Sequence, residues 1–229
     1  MEFNGLMGGL YRLCEWIMRL AYLNLLWIGF SLLGLILFGL GPATAAIYAV
    51  QRKWKLGEMD VPIFKTFWST YKKEFLQANI LAIIFMVLGY ILYTDLQFIA
   101  VLNGAVQIVF YVATLILLFL YFVTLAYLFP VFVHYDLKNV GQYMKNALLI
   151  GISQFPYAIL MLIGAALLYI LFRFLPGLLP FFGVSLLSLI ITWCAHWAFN
   201  RVHRKLEGGE ESSTSSNQKI QNGQEEVEL

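Results

Sequence analysis

No charged residue occurs between Arg19 and Arg52, and none between Leu96 and Tyr135. An α-helix needs about 20 apolar residues to cross the hydrocarbon core of a bilayer. Each of these windows is longer than that, and neither offers the charged face that a helix on a soluble core presents to water. Of the 229 residues, 61% are hydrophobic and 12% charged, against about 45–50% and about 25% in soluble domains. A water-soluble chain of this size could not bury so much apolar surface. The charges are also displaced from the apolar part, since ten of them fall within residues 201–229. The composition excludes a soluble globular domain and predicts an all-α integral membrane protein.

Five spans are predicted, at about residues 20–40, 75–93, 106–133, 147–169 and 181–199. The first apolar run is read as a retained anchor, because it exceeds the length of a signal-peptide core. Residues 1–19 form an interfacial N-terminal segment, residues 20–207 a polytopic membrane domain, and residues 208–229 a disordered acidic tail. Gly41-Pro42 breaks or kinks the first span. Two courses are open beyond it: residues 41–53 continue the span, or they turn back as a short helix. Asp95 marks a tight turn after the second span, Pro156 kinks the fourth, and residues 173–180, with two prolines and a glycine, form a turn.

Residues 51–75 are the longest polar connection inside the membrane domain. Arg52, Lys53, Lys55, Lys65, Lys72 and Lys73 outnumber Glu58, Asp60 and Glu74 there. Phe64, Phe67, Trp68, Tyr71 and Phe75 recur at offsets of three and four, which places them on one helical face. Pro62 suits the first turn of such a helix. The pattern predicts a cytoplasmic amphipathic connector helix on the membrane surface, with lysines reaching lipid phosphates. Lysine and arginine mark cytoplasmic loops, so this connector, residues 134–145 and the C-terminus are assigned to the inside. Five through-spans then put the N-terminus outside, in a multi-pass membrane protein.

FWSTYKKEFLQANI precedes the second span and NVGQYMKNALLIGI the fourth, so the chain reads as two similar hairpins. A parallel repeat and a convergence of two ordinary membrane hairpins both account for this. The stretches RLCEWIMRLAYLNLLW, GPATAAIYAV, QRKWKLGE and FWSTYKKEF are similar to those of the YesL-like bacterial membrane proteins, a domain of unknown function found mainly in Gram-positive bacteria. Asn24, Trp27, Gly41, Pro42, Ala43, Thr44, Ala45, Trp54, Gly57 and Phe67 carry the resemblance, which covers about residues 5–205. It implies an accessory protein associated with carbohydrate uptake systems, with a sugar permease as partner, and it supplies no catalytic residue.

Chemistry at a site needs polar groups that converge, and the predicted spans contain no acidic or basic residue apart from histidine. His196 is read as a structural or interfacial residue within hydrogen-bond reach of Asn24 or Asn200, and His134 as an interface cap beside Asp136. Three histidines and two cysteines lie scattered without metal-ligand spacing. Cys14 and Cys194 are read as small buried hydrophobes. Asn24, Asn79, Asn103, Gln107 and Gln154 are expected to bond neighbouring helices. Asn24 is also placed near Thr44 and Gly41-Pro42, at a crowded helix crossing or a small binding cavity. No catalytic, cofactor or metal residue is assigned, and no nucleic acid is expected as partner. The expected function is that of a non-enzymatic accessory or scaffold protein bound to membrane lipids and a membrane-protein partner. The alternatives are a small-solute transporter or channel acting as a homo-oligomer and, more remotely, a lipid enzyme using Glu58, Asp60 and His134.

Overall fold

The computed structural model describes residues 6–225 apart from Asp136 and Lys138, with side chains described for residues 8–202. The described chain is all helical: α1 (Leu6–Leu33), α2 (Leu40–Lys55), α3 (Ile63–Lys73), α4 (Phe75–Ile99), α5 (Ala105–His134), α6 (Val140–Ser153), α7 (Phe155–Phe174) and α8 (Leu179–Glu225). Five stretches are long and apolar enough to cross a membrane: Gly8–Leu33, Phe75–Ile99, Ala105–His134, Phe155–Phe174 and Pro176–Val202. Of the tail read as disordered, residues 208–225 belong to α8 and residues 226–229 lie outside the described residues, as does Asp136, beside which His134 is expected to cap the interface.

The first expected boundary moves. The sequence places an interfacial segment at 1–19 and a span at 20–40, whereas one helix runs from Leu6 to Leu33. Glu15 and Arg19 are four residues apart on that helix and form an ion pair, and Arg19 also donates to the Met59 carbonyl. Paired in this way, the two charges do not end the helix.

The chain then reverses within residues 34–39. Leu35 and Ile36 both take left-handed backbone angles, φ 54° and 63°, which cost energy for any residue with a Cβ. The flanking glycines let the backbone close on itself. A Cβ on Gly34 would sit 2.3 Å from Gly39 Cα, and one on Gly39 would sit 2.4 Å from the Ser31 carbonyl oxygen. Helix α2 therefore turns back along α1. Trp27 Nε1 meets Thr44 Oγ1 at 3.1 Å, and the Trp16 and Trp54 rings meet edge to face at 5.6 Å. Of the two courses open at Gly41-Pro42, the structure shows the return. Gly41 and Pro42 lie in the first turn of α2, where proline costs no hydrogen bond. One consequence follows for the N-terminus. Trp16 and Arg19 lie at the same end of the molecule as Trp54 and Met59, whereas five through-spans would hold them apart.

Short as it is, α2 is the hub. It packs against α1, α3, α4, α5 and α8, and Ala43, Ala45, Ala46, Ile47 and Val50 are fully buried. Small residues in GPATAA allow that approach: a Cβ on Gly41 would lie 2.6 Å from the Ala78 carbonyl oxygen of α4. The segment is a crowded helix crossing.

Helix α3 occupies the stretch in which the connector helix is expected, with Pro62 as its N-cap residue. Its aromatic face does not lie free on a surface. Phe67 and Tyr71 are buried, and Phe30 of α1 sits 5.1–5.2 Å, ring to ring, from Phe67, Trp68 and Tyr71. Tyr71 also donates to the Phe30 carbonyl at 3.2 Å, and burial raises its phenol above the ordinary value. Lys65, Lys72 and Lys73 stay on the exposed side.

Two further corrections concern turns. Asp95 lies inside α4, and the chain turns instead at residues 100–104, where Gly104 takes φ +76°. A single carboxylate near a helix end reaches the polar boundary without ending the helix. The fourth span is not one kinked helix but two. Helix α6 ends at Ser153, Gln154 takes φ −115° and ψ 41°, and Pro156 stands in the first turn of α7. Proline biases the preceding backbone away from the helix, and it is tolerated at a helix start.

The echo seen in the sequence has a structural counterpart. Each hairpin, α4–α5 and α7–α8, follows a short helix separated from it by one residue, Glu74 or Gln154. Each short helix packs back on the helix before it, α3 on α2 and α6 on α5. In the second unit, a Cβ on Gly151 would meet Val123 Cγ1 at 2.5 Å, so α6 and α5 nearly touch.

The reversal yields a direct test. Gly39→Ala forces a Cβ into backbone atoms that cannot move aside, and it should lower stability by about 1–3 kcal/mol. Thermal unfolding in detergent should show a clear drop in midpoint for G39A and none for Gly9→Ala, whose added Cβ would meet no neighbour within 4 Å.

Candidate functional site

Two amides tie the beginning of the chain to its last span. Asn24 is buried on α1 and reaches the first turns of α8. Its Nδ2 donates to the Pro180 carbonyl at 2.7 Å, and its Oδ1 accepts from the Val184 and Ser185 amides at 3.0 Å each. The Pro180 carbonyl and the Val184 N–H are one helical step apart, and the side-chain amide of Asn24 bonds both.

Gln51 of α2 does the second half of the work. Its Nε2 donates to the Ser185 carbonyl and to Ser188 Oγ, both at 2.9 Å, and its Oε1 lies 3.2 Å from the Thr192 hydroxyl. Ser185, Ser188 and Thr192 are spaced to share one face of α8, and all three are buried. Gln51 was not among the residues singled out from the sequence. The signal that could have found it is the polar stripe Ser185, Ser188, Thr192 in an otherwise apolar helix, which must face a donor or acceptor.

The other sequence candidates are placed as follows. Thr44 accepts from Trp27 and donates to the Leu40 carbonyl at 2.7 Å, so it belongs to the α1–α2 crossing, separate from the contacts of Asn24. Gln107 donates to the Ile99 carbonyl at 3.3 Å and closes the α4–α5 turn, where Asn103 is exposed. Asn79 departs from expectation. It is buried, and neither side-chain atom of its amide has a hydrogen-bond partner among the described residues. The Gln154 Nε2 is likewise buried without one, while its backbone carbonyl accepts from Tyr127 at 3.4 Å. Cys194 is buried as expected, but Cys14 is exposed on α1.

His134 and His196 come together at one end of the bundle. Arg52 and Lys55 from α2, His134 from α5, and Thr192 and His196 from α8 line a narrow cleft of about 20 Å³, with Tyr48 on its wall. The expected bonds from His196 to Asn24 do not form, since Asn24 is engaged elsewhere. His134 packs on Phe199 at 4.6 Å between ring centroids. Glu58 and Asp60 lie on the loop after α2 and do not line this cleft. No group of three or more histidine, cysteine or acidic side chains converges among the described residues. The larger clefts are apolar. One of about 450 Å³ runs between α5, α7 and α8, and one of about 400 Å³ between α4, α5 and α6 has Asp95 and Lys145 as its charged residues.

Comparison with known proteins agrees with the resemblance drawn from the sequence. Residues 20–96 match the family described as "Protein of unknown function, DUF624". The uncharacterized protein YteU of Bacillus subtilis (strain 168) is 45% identical over 82% of this chain and 84% of its own length. YesV and YesL, two further uncharacterized proteins of that organism, are each 40% identical, over 84% and 87% of this chain and 92% and 94% of their own lengths. No solved structure matches.

The seam predicts an asymmetry between amides. Asn24→Leu and Gln51→Leu each leave polar groups of α8 without partners in an apolar bundle, which costs about 1–3 kcal/mol. Both should lower the thermal midpoint in detergent, while Asn103→Leu, in the exposed turn, should leave it within experimental error.

Proposed function

The chain belongs to the DUF624 family of these Bacillus subtilis proteins, and from that premise we propose that it acts as a non-enzymatic accessory or scaffold protein of a membrane complex. The observation that carries this reading is the closed polar seam. A solute path needs polar groups that face an open route. Here Asn24, Gln51, Ser185, Ser188 and Thr192 bond one another or the α8 backbone, and the roomier clefts are lined almost wholly by apolar residues. What remains outward is apolar surface suited to lipid chains and to the spans of another membrane protein. The partner class is a carbohydrate-uptake permease, which rests on the family resemblance alone.

The same proposal places the protein in the bacterial cell membrane with its basic end cytoplasmic, since Arg52, Lys53, Lys55, Lys65, Lys72 and Lys73 follow the rule for inner loops. Arg19 contacts Met59 at that end, so the start of α1 is assigned to the cytoplasmic side as well. This replaces the outside N-terminus that five through-spans would require.

Two measurements test the reading. Full-length tagged protein, extracted in mild detergent from native membranes grown on oligosaccharides, should co-purify with a polytopic permease. Isolation without any partner, combined with solute flux in liposomes holding this protein alone, would overturn it in favour of a transporter. In a chain with Cys14 and Cys194 replaced by serine, Arg12→Cys and Lys65→Cys should react with an impermeant maleimide only after the membrane is opened. Labelling of R12C in intact cells would refute the orientation.

A further inference from the structure

The cleft at the basic end has a property that topology alone does not explain. Basic residues at a span border normally hold their charge in water, and those in the last turn of a helix also oppose its dipole. Arg52, Lys53 and Lys55 are all half-buried, but of the three only Arg52 has a buried side-chain nitrogen, its Nε, without a hydrogen-bond partner. Arginine stays charged in any such setting, so a buried guanidinium donor left unsatisfied is costly. Among the described residues the ion pairs are Glu15–Arg19 and Lys73–Glu74, and neither involves the cleft. No carboxylate among the described residues lines it.

The second cation is held in place. Lys55 Nζ sits 3.8 Å above the Trp193 ring and 5.9 Å from that of Trp197. A cation–π contact orients an ammonium without neutralising it. His196 adds an imidazole and Tyr48 a hydroxyl to the same cleft. Arg52 and Lys55 stand three residues apart on α2 and both line the cleft, and two cations so placed suit a tetrahedral oxyanion, which accepts several charge-assisted hydrogen bonds at once.

We propose that the mouth of the cleft between α2, α5 and α8 binds a phosphate group through Arg52 and Lys55. This stands apart from the scaffold reading and does not depend on any protein partner. Two sources share the chemistry: the phosphodiester of an anionic phospholipid, at the headgroup depth where span ends lie, and a free phosphate from the aqueous side.

The experiment uses the full-length protein purified in detergent and two probes. Titration calorimetry with inorganic phosphate reads the soluble source. Native mass spectrometry after incubation with phosphatidylglycerol, against phosphatidylcholine as the zwitterionic control, reads the lipid source. The wild type should bind at least one anionic probe, and Arg52→Gln and Lys55→Gln should each weaken that binding by about tenfold or more. Lys53→Gln, one residue away and outside the cleft, should leave it unchanged. Retention of phosphatidylglycerol without phosphate binding assigns the site to lipid; the converse assigns it to a soluble anion. If R52Q elutes as an aggregate, K55Q carries the comparison, since its side chain reaches over Trp193 from the helix end. Binding of neither probe by the wild type, equal binding of phosphatidylcholine and phosphatidylglycerol, or equal losses in K53Q and K55Q would overturn the proposal.

Discussion

A primary amide inside an apolar bundle is costly unless it finds partners within the protein, because lipid offers none. Asn24 and Gln51 find theirs on one helix, α8, from positions 27 residues apart in sequence. They can do so only because α2 doubles back along α1 and brings both amides to the same face. The groups they serve are backbone positions at the start of α8 and the stripe Ser185, Ser188, Thr192. The opening segment and the closing span are thereby fixed to each other, and the α4–α5 and α7–α8 hairpins are built around them.

That arrangement makes α2 the most informative element. It has 16 residues, ends in a basic run and fails the length test for a span, yet it contributes most to the interior. Its small residues let α4 approach to backbone contact at Gly41, and its last turn presents Arg52 and Lys55 between α5 and α8. Packing in the middle of the helix and charge at its end thus have one cause, the reversal at residues 34–39.

Hydropathy made the class of the molecule legible, and the charge-free windows placed the second, third and fifth spans. The rest was hidden for physical reasons that can be named. Glu15 and Arg19 neutralise one another within a helix, so a rule that stops spans at charges began α1 too late. The reversal rests on two left-handed non-glycine residues, Leu35 and Ile36, a conformation that sequence disfavours and tertiary packing imposes. Pro156 separates two helices instead of bending one, a choice set by how α6 packs on α5. Among site residues, Asn24 was legible as an intramembrane amide, while its partner on α8 is backbone and carries no side-chain signal. Gln51 was masked by the basic run beside it. His134 and His196 were weighed singly, and only the fold brings them to one cleft with Arg52.

The return of α2 along α1 is the claim on which the seam, the cleft and the orientation all rest. It is tested most directly by proximity across that reversal. In a chain with both native cysteines replaced by serine, Trp16→Cys and Trp54→Cys would be joined by a short bifunctional thiol reagent in native membranes. Efficient intramolecular cross-linking, with none between cysteines at positions 16 and 37, is the expected result. Failure of the 16–54 pair to cross-link, with ready joining of 37 to 54, would mean that α2 does not fold back and would contradict the account.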